Sequence, residues 1–321
     1  MDISCAFPPT VDTPDLVAYA EELGYQRAWI YDTPALQLDV WITLALAAQR
    51  TSRIGLGPGV LIPHLRHVLV TASAIAHMEH LAPGRMAYAF GSGFTGRRAL
   101  GQKPLKWADV ATYVTSLRAL LRGEAVEVDG AMVAMLHAAG QAPARPLSPP
   151  ILIATGGPKG EAVARGLGDG VIASSPVAGF DWSVQLMFGT VIGDGEDLDS
   201  ERVLRSAGPG ASVVFHALYD RNKEALERLP GAAVWRDSIE AVDPAVRHLE
   251  IHRGHLTELN THDRLALTGP TAAAISRSGT ADQIRLRIAE SAAAGATEIA
   301  FQPAGADLRA ELRAFIEAAQ G

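Results

Sequence analysis

Four short stretches combine the residue types that ligand chemistry needs with spacing that lets them meet. The most legible is Thr155-Gly156-Gly157-Pro158-Lys159, with Ser174-Ser175 downstream. Two glycines let backbone approach a ligand closely, and a following helix start offers unpaired N–H groups and a positive dipole end to an anion. Gly156, Gly157, Ser174 and Ser175 therefore read as a phosphate pocket, or else the glycines only shape a turn. In Gly57-Pro58-Gly59-Val60, Gly and Pro interrupt an apolar run. Such a glycine marks a bulge or a close backbone approach, so either a flat ring packs there or the sheet rim is simply distorted. Gly91-Ser92-Gly93 leaves a further segment end unobstructed, and Asp32-Thr33 closes the apolar run Trp29-Ile30-Tyr31 with a carboxylate and a hydroxyl. Asp32 can accept a hydrogen bond from a ligand or from a loop. Asp32, Thr33 and His64 are the candidate proton-handling groups.

Other charged groups read as structural. Arg66 is expected to tie its loop to a helix, and Arg97, Arg98, Lys103 and Lys106 to form a solvated loop, with an acidic substrate or cofactor tail as the alternative. His252, His255 and His262 stand without metal-ligand company and are assigned packing or surface roles, so no metal is expected. The one cysteine, Cys5, lies in an apolar run, which excludes an intrachain disulfide. No nucleophile elbow, HExxH, Walker loop or Rossmann fingerprint is present.

The elements that must position these groups follow from hydrophobic periodicity. Apolar runs at Ile3–Phe7, Arg27–Tyr31, Arg53–Val60, Arg85–Gly91, Ile151–Ala154, Gly170–Ala173, Ser212–Ala217 and Glu298–Gln302 alternate with helix-period segments, among them Val40–Arg50, Val68–Leu81, Trp107–Leu121 and Thr280–Ala294. Asp129-Gly130 between two short runs predicts a hairpin outside the main sheet. The stretch 220–268 is mostly helical and polar. The expectation is an α/β protein: a (β/α)8 TIM barrel with a small hairpin excursion and a helical insertion before the last βα units, one domain over 1–321. In such a barrel ligands sit at the carboxyl ends of the strands, where all four stretches fall.

The 321 residues carry 48% hydrophobic and 20% charged side chains, enough for one large core. A formal charge of −7 disfavours nucleic acid and anionic membrane as partners. No signal peptide or membrane-spanning window is visible, and a cytoplasmic enzyme acting on a small molecule is expected.

Several stretches together resemble the luciferase-like monooxygenase superfamily: AEELGYQRAWIYD (20–32), TSRIGLGPGVLIPHLRH (51–67), LAPGRMAYAFGSG (81–93), PPILIATGGPKGEAVARGLGDGVIASS (149–175) and SGTADQIRLRIAESAAAGATEIAF (278–301). Within it the chain is most similar to the coenzyme F420-dependent branch of methylenetetrahydromethanopterin reductase-like and glucose-6-phosphate dehydrogenase-like proteins. The resemblance implies a non-prolyl cis peptide at Gly59-Val60 behind the deazaflavin ring, Asp32 near its pyrimidine side, and Gly91 and Gly93 beside it. It also implies phosphate held by Gly156, Gly157, Ser174 and Ser175, and a homodimer paired through the second and third helices. The chain departs from the family's proton-handling positions: Thr33 follows the aspartate where sugar-phosphate relatives carry His, Phe94-Thr95-Gly96 replaces an acid, and Ala6 replaces Glu. The implied activity is hydride transfer between F420 and a small organic substrate, with a C=N or C=C bond as acceptor. The alternatives are an FMN-dependent monooxygenase fed by a separate reductase, and a non-catalytic flavin-binding barrel.

Overall fold

β-branched and aromatic runs bounded by Gly, Pro and Asp form short strands, and amphipathic segments with capped ends form the helices between them. Thr280 and Gln283, for example, make a reciprocal capping box at the start of Ala281–Ala293. Gly24, in the left-handed region at φ 89°, ends Thr13–Leu23. A computed structural model describes residues 1–321. Its strands are β1 (Asp2–Phe7), β2 (Arg27–Ile30), β3 (Gly55–Leu61), β4 (Tyr88–Phe90), β5 (Val126–Val128), β6 (Ala131–Val133), β7 (Ile151–Ala154), β8 (Gly170–Ala173), β9 (Ser183–Met187) and β10 (Glu298–Phe301). All but β5 and β6 close into a parallel barrel in the order β1-β10-β9-β8-β7-β4-β3-β2, and β5-β6 is the expected antiparallel hairpin.

Strand alternation sorts the apolar side chains into two layers. Ala6, Trp29, Ala89, Leu152, Ile172, Val184 and Ala300 belong to one buried cluster that fills the barrel. A larger cluster, including Cys5, Ile30, Leu44, Ile75, Leu117 and Phe315, lies between strands and helices. At the amino-terminal end the carboxylate of Glu298, 3% exposed, accepts hydrogen bonds from Trp29 Nε1 at 2.8 Å and Trp182 Nε1 at 2.7 Å. The Arg27 guanidinium lies over both indoles, at 5.4 and 5.1 Å, and donates to the carbonyls of Leu56 and Arg85. This polar plug seals the barrel floor.

One strand assignment from the sequence is corrected. Ser212–Ala217 is not a strand; it lies in the 21-residue helix Glu201–Arg221, and the seventh barrel strand is β9. The helix runs through Gly208-Pro209-Gly210. A Cβ at Gly208 would stand 2.7 Å from Leu259 and one at Gly210 2.5 Å from Phe188, so the glycines serve close packing. The helical insertion between β9 and the last strand runs through Glu201–Arg221, Ala232–Glu240, Arg247–His252, Thr261–Ala266 and Gly269–Ser276, and has its own core around Phe215, Trp235, Ile239 and Leu259. No helix is long and apolar enough to cross a membrane.

Replacing Glu298 by Leu leaves two indole N–H groups without their acceptor. The expected loss is about 2–6 kcal/mol, since each donor left without an acceptor costs roughly 1–3. It is read as a lower urea midpoint at unchanged slope in equilibrium unfolding.

Candidate functional site

The carboxyl ends of β2, β3, β4, β7 and β8 open into one cavity of about 800 Å³, large enough for a flat ring system and a small second molecule. The structure places Asp32, Thr33, Gly59, Val60, Gly91, Gly93, Gly156, Gly157 and Ser174 on its wall. His64 and Ser175 are exposed and lie off it. The sequence grouped all of these together because strand-end position says where a residue emerges, not which way its loop turns.

Strand β3 supplies the floor. Its register against β4 shifts between Gly59 and Leu61, the bulge expected from the glycines, and the Gly59–Val60 peptide is cis. A Cβ at Gly59 would stand 3.1 Å from Trp29, and one at Gly91 would stand 2.8 Å from Val60 and 3.2 Å from Ala154. Gly59 is thus pressed on the barrel core, whereas Gly91 faces the side chains of the cavity wall. Across the cavity, Thr155 Oγ1 donates to the Gly157 carbonyl at 3.0 Å and fixes the turn before helix Pro158–Leu167. A Cβ at Gly156 or Gly157 would meet nothing within 4 Å, which leaves that backbone bare to a ligand. Lys159 brings a cation beside this turn, and Arg221, over the Phe94 ring at 4.1 Å, brings another to the cavity lining.

Asp32 does not stand free. Arg66 holds it at 2.6 Å and with its other nitrogen holds Asp39 at 2.9 Å. Asp39 in turn caps helix Val40–Arg50 by accepting from the N–H groups of Trp41 and Ile42. The arginine therefore has a structural role, but it ties the turn after β3 to the helix after β2 and not to the helix that it precedes. Burial outweighs the Arg66 attraction and raises the Asp32 carboxyl above its ordinary value. Partial burial and then Arg97 lower His64. In the basic loop, Lys103 and Lys106 are exposed as expected, but Arg98 pairs with Asp220 at 2.6 Å and joins the short helix Phe94–Arg98 to the insertion.

The insertion contributes what sequence reasoning missed. His255 and Leu256 line the cavity, and His255 Nε2 lies 3.1 Å from Thr95 Oγ1. His255 Nδ1 lies 3.1 Å from His216 Nδ1, and His216 Nε2 lies 3.0 Å from Asp263 Oδ1. His252 is the third member of this buried group. Burial, followed by the neighbouring His216, pushes His255 well down and His252 down to about 3, so both are neutral in the physiological range. The histidines of the insertion therefore do have company. His252 and His255 meet His216, which the sequence had placed on a strand, while His262 stands apart on Ser238.

The family model described as luciferase-like monooxygenase matches residues 8–298. The 5,10-methylenetetrahydromethanopterin reductase of Archaeoglobus fulgidus is 34% identical over 163 residues, which is 50% of this chain and 48% of that protein. The F420-dependent glucose-6-phosphate dehydrogenase of Beutenbergia cavernae is 29% identical over 231 residues, 64% of this chain and 61% of that protein. These alignments span about half to three-fifths of the relatives' length. Among solved structures, the coenzyme F420-dependent tetrahydromethanopterin reductase from Methanopyrus kandleri superposes with a TM-score of 0.70 at 18% identity, over 99% of this chain and 97% of that one. An F420-dependent secondary alcohol dehydrogenase, in complex with an F420-acetone adduct, gives 0.69 at 17%, over 100% and 99%. Both share the barrel fold.

Replacing Arg66 by Met should cost about 3–4 kcal/mol near neutral pH, because it strands a buried carboxylate. With the ion pair gone, burial acts on Asp32 alone and its carboxyl rises further. An acid raised in the folded state adds stability below its unfolded value and loses it as pH rises through the folded one. The deficit relative to the unsubstituted protein should therefore shrink at mildly acidic pH, as checked by urea unfolding at both pH values. An equal deficit at both would show that Asp32 is not the stranded group.

Proposed function

We propose, from the premise that this chain belongs to the luciferase-like monooxygenase family, that it is an F420-dependent oxidoreductase moving a hydride between the deazaflavin and a small organic substrate. The observation that carries this reading is one continuous cavity lined by a glycine-backed floor and by a bare Gly-Gly helix start with Lys159 beside it. Such a cavity fits a flat ring bearing an anionic tail. The F420-dependent proteins among the chain's relatives support the choice of cofactor.

When bound, F420 supplies hydride exchange at C5 of its ring. The chain's residues do the rest. Gly59, Val60 and Gly91 give the ring a flat seat. The backbone of Gly156 and Gly157, with Ser174 and Lys159, holds the phosphate. Asp32, locked by Arg66, positions the pyrimidine side and, being salt-bridged, does not serve as the free acid. His64 lies off the wall, so Thr33 is the remaining proton-handling candidate from the sequence; its hydroxyl reaches the cavity and donates to Gln37. Tyr31, Thr95 and His255 are among the polar groups that a substrate heteroatom meets on a mostly apolar wall. A conjugated C=C or a C=N bond suits such a wall, because it presents little charge and only one polar atom to be held.

Fluorescence titration of the purified protein should show saturable F420 binding at low micromolar concentration and little affinity for FMN. A preference for FMN would overturn the cofactor assignment and point to oxygen-dependent chemistry. Gly91→Val should push Val60 into the cavity and weaken F420 by at least about 10-fold, roughly 1.4 kcal/mol, with the unfolding midpoint nearly unchanged. A second copy is proposed to pack on Ile42, Leu46 and Val70, exposed on the helices after β2 and β3. Light scattering at micromolar concentration should give twice the chain mass, and Ile42→Lys should halve it.

A further inference from the structure

We propose that His216, His252 and His255 form a binding site for one divalent transition-metal ion of the zinc class, on the insertion side of the cavity. The site is independent of the cofactor reading above. Each of the three residues offers one ring nitrogen, and these atoms lie within 4.8 Å of one another. His216 comes from helix Glu201–Arg221, His252 from the end of helix Arg247–His252, and His255 from the turn that follows. All three are at most 3% exposed.

Hydrogen bonding alone leaves this group incomplete. The facing Nδ1 atoms of His216 and His255 can share a single proton, but Nδ1 of His252 is buried with no partner at all. A buried unpaired polar atom costs roughly 1–3 kcal/mol and is rare enough to call for an explanation. A metal ion gives that unsatisfied imidazole a bond.

The outer contacts are those a metal-binding imidazole needs. With Nε2 of His216 as the donor to Asp263 Oδ1 at 3.0 Å, its Nδ1 lone pair is turned towards His255. Asp263 is itself fixed by Trp235 Nε1 at 2.8 Å and by its position in the first turn of helix Thr261–Ala266. A carboxylate that orients a ligating histidine in this way sets its tautomer and raises its basicity. His255 allows the matching arrangement: in the tautomer whose Nε2 donates to Thr95 Oγ1 at 3.1 Å, its Nδ1 lone pair is turned towards His216.

The distances are close to those required. Ligand nitrogens around a tetrahedral ion with bonds near 2.0–2.1 Å lie about 3.3 Å apart. The His216–His255 pair, at 3.1 Å, already meets that spacing. The His252 ring nitrogen lies within 4.8 Å of the other two, so small side-chain shifts bring the three onto one ion. Three imidazole ligands suit zinc, cobalt or nickel and exclude calcium and magnesium, which demand oxygen. Because His255 lines the cavity, the ion would lock the insertion to the wall that Thr95 and the Arg98–Asp220 pair also hold.

The test uses the whole, untagged protein, stripped with a chelator and titrated with Zn²⁺ by calorimetry and with Co²⁺ by visible absorption. The expected result is one ion per chain, tetrahedral cobalt bands, and a melting temperature that rises with Zn²⁺. His252→Leu should weaken Zn²⁺ at least about 100-fold and abolish the thermal shift, while the exposed His77→Ala changes neither. If His252→Leu does not fold, His255→Asn makes the same comparison. Absence of saturable binding to the unsubstituted chain, or undiminished binding in the His252 or His255 variant, overturns the site and leaves a metal-free cluster.

Discussion

The contact on which the rest depends is the one between Trp29 and the backbone of β3. The indole is fully buried inside the barrel, anchored through Nε1 on Glu298 and tilted against Trp182 with ring centroids 6.3 Å apart. Trp29 and the neighbouring strand take the space that side chains on β3 would need: a Cβ at Gly57 would collide with the Ala87 carbonyl oxygen and stand 2.9 Å from the indole, and one at Gly59 would stand 3.2 Å from the indole. Those positions therefore hold glycine for reasons of packing. The bare backbone that packing imposes is also what a flat ligand needs, so stability and binding draw on the same residues. This is also why substitution at Gly59 strains the core, while Gly91, which faces Val60, reports on the cavity more directly.

Above that floor, charge and hydrogen bonding hold the loops rather than apolar burial. Arg66 joins two turns through Asp32 and Asp39, and Arg98 joins the β4 loop to the insertion through Asp220. Most of these partners are half-buried or deeper, so their attraction is less screened than that of a surface pair. The insertion keeps its own apolar core around Phe215 and Trp235 and meets the cavity through His255, Leu256 and Val213. It acts as a separate wall docked on the barrel.

Much of the barrel was legible because its strands are short apolar runs between turn residues: β7 and β8 fall on the residues that periodicity selects. The Gly-Gly turn and the β3 bulge were legible because glycine has few reasons to occupy such positions. The failures have equally definite causes. Ser212–Ala217 is apolar and β-branched, and a short run of that kind is ambiguous between strand and buried helix. The length of helix Glu201–Arg221 settles it only once the glycines at 208 and 210 are seen to be packed against Leu259 and Phe188. Moving that stretch onto a helix is what brings His216 to His255; no spacing in the chain could show that residues 39 apart share a site. His64 and Ser175 fail for a smaller reason, the direction in which a loop turns.

The departures from the family's proton-handling positions take on a different meaning in this setting. Ala6, Thr33 and the Phe94-Thr95-Gly96 stretch make the strand ends of the barrel poorer in acids and bases, yet the surfaces that would seat a ring and a phosphate are intact. On the insertion, a buried Asp263–His216–His255 chain ends on Thr95 at the cavity wall. The two walls thus carry different tasks. The barrel wall is fixed by core packing and is suited to an invariant ligand. The insertion wall, built on a separate core, brings His255, Leu256 and Val213 to the same cavity.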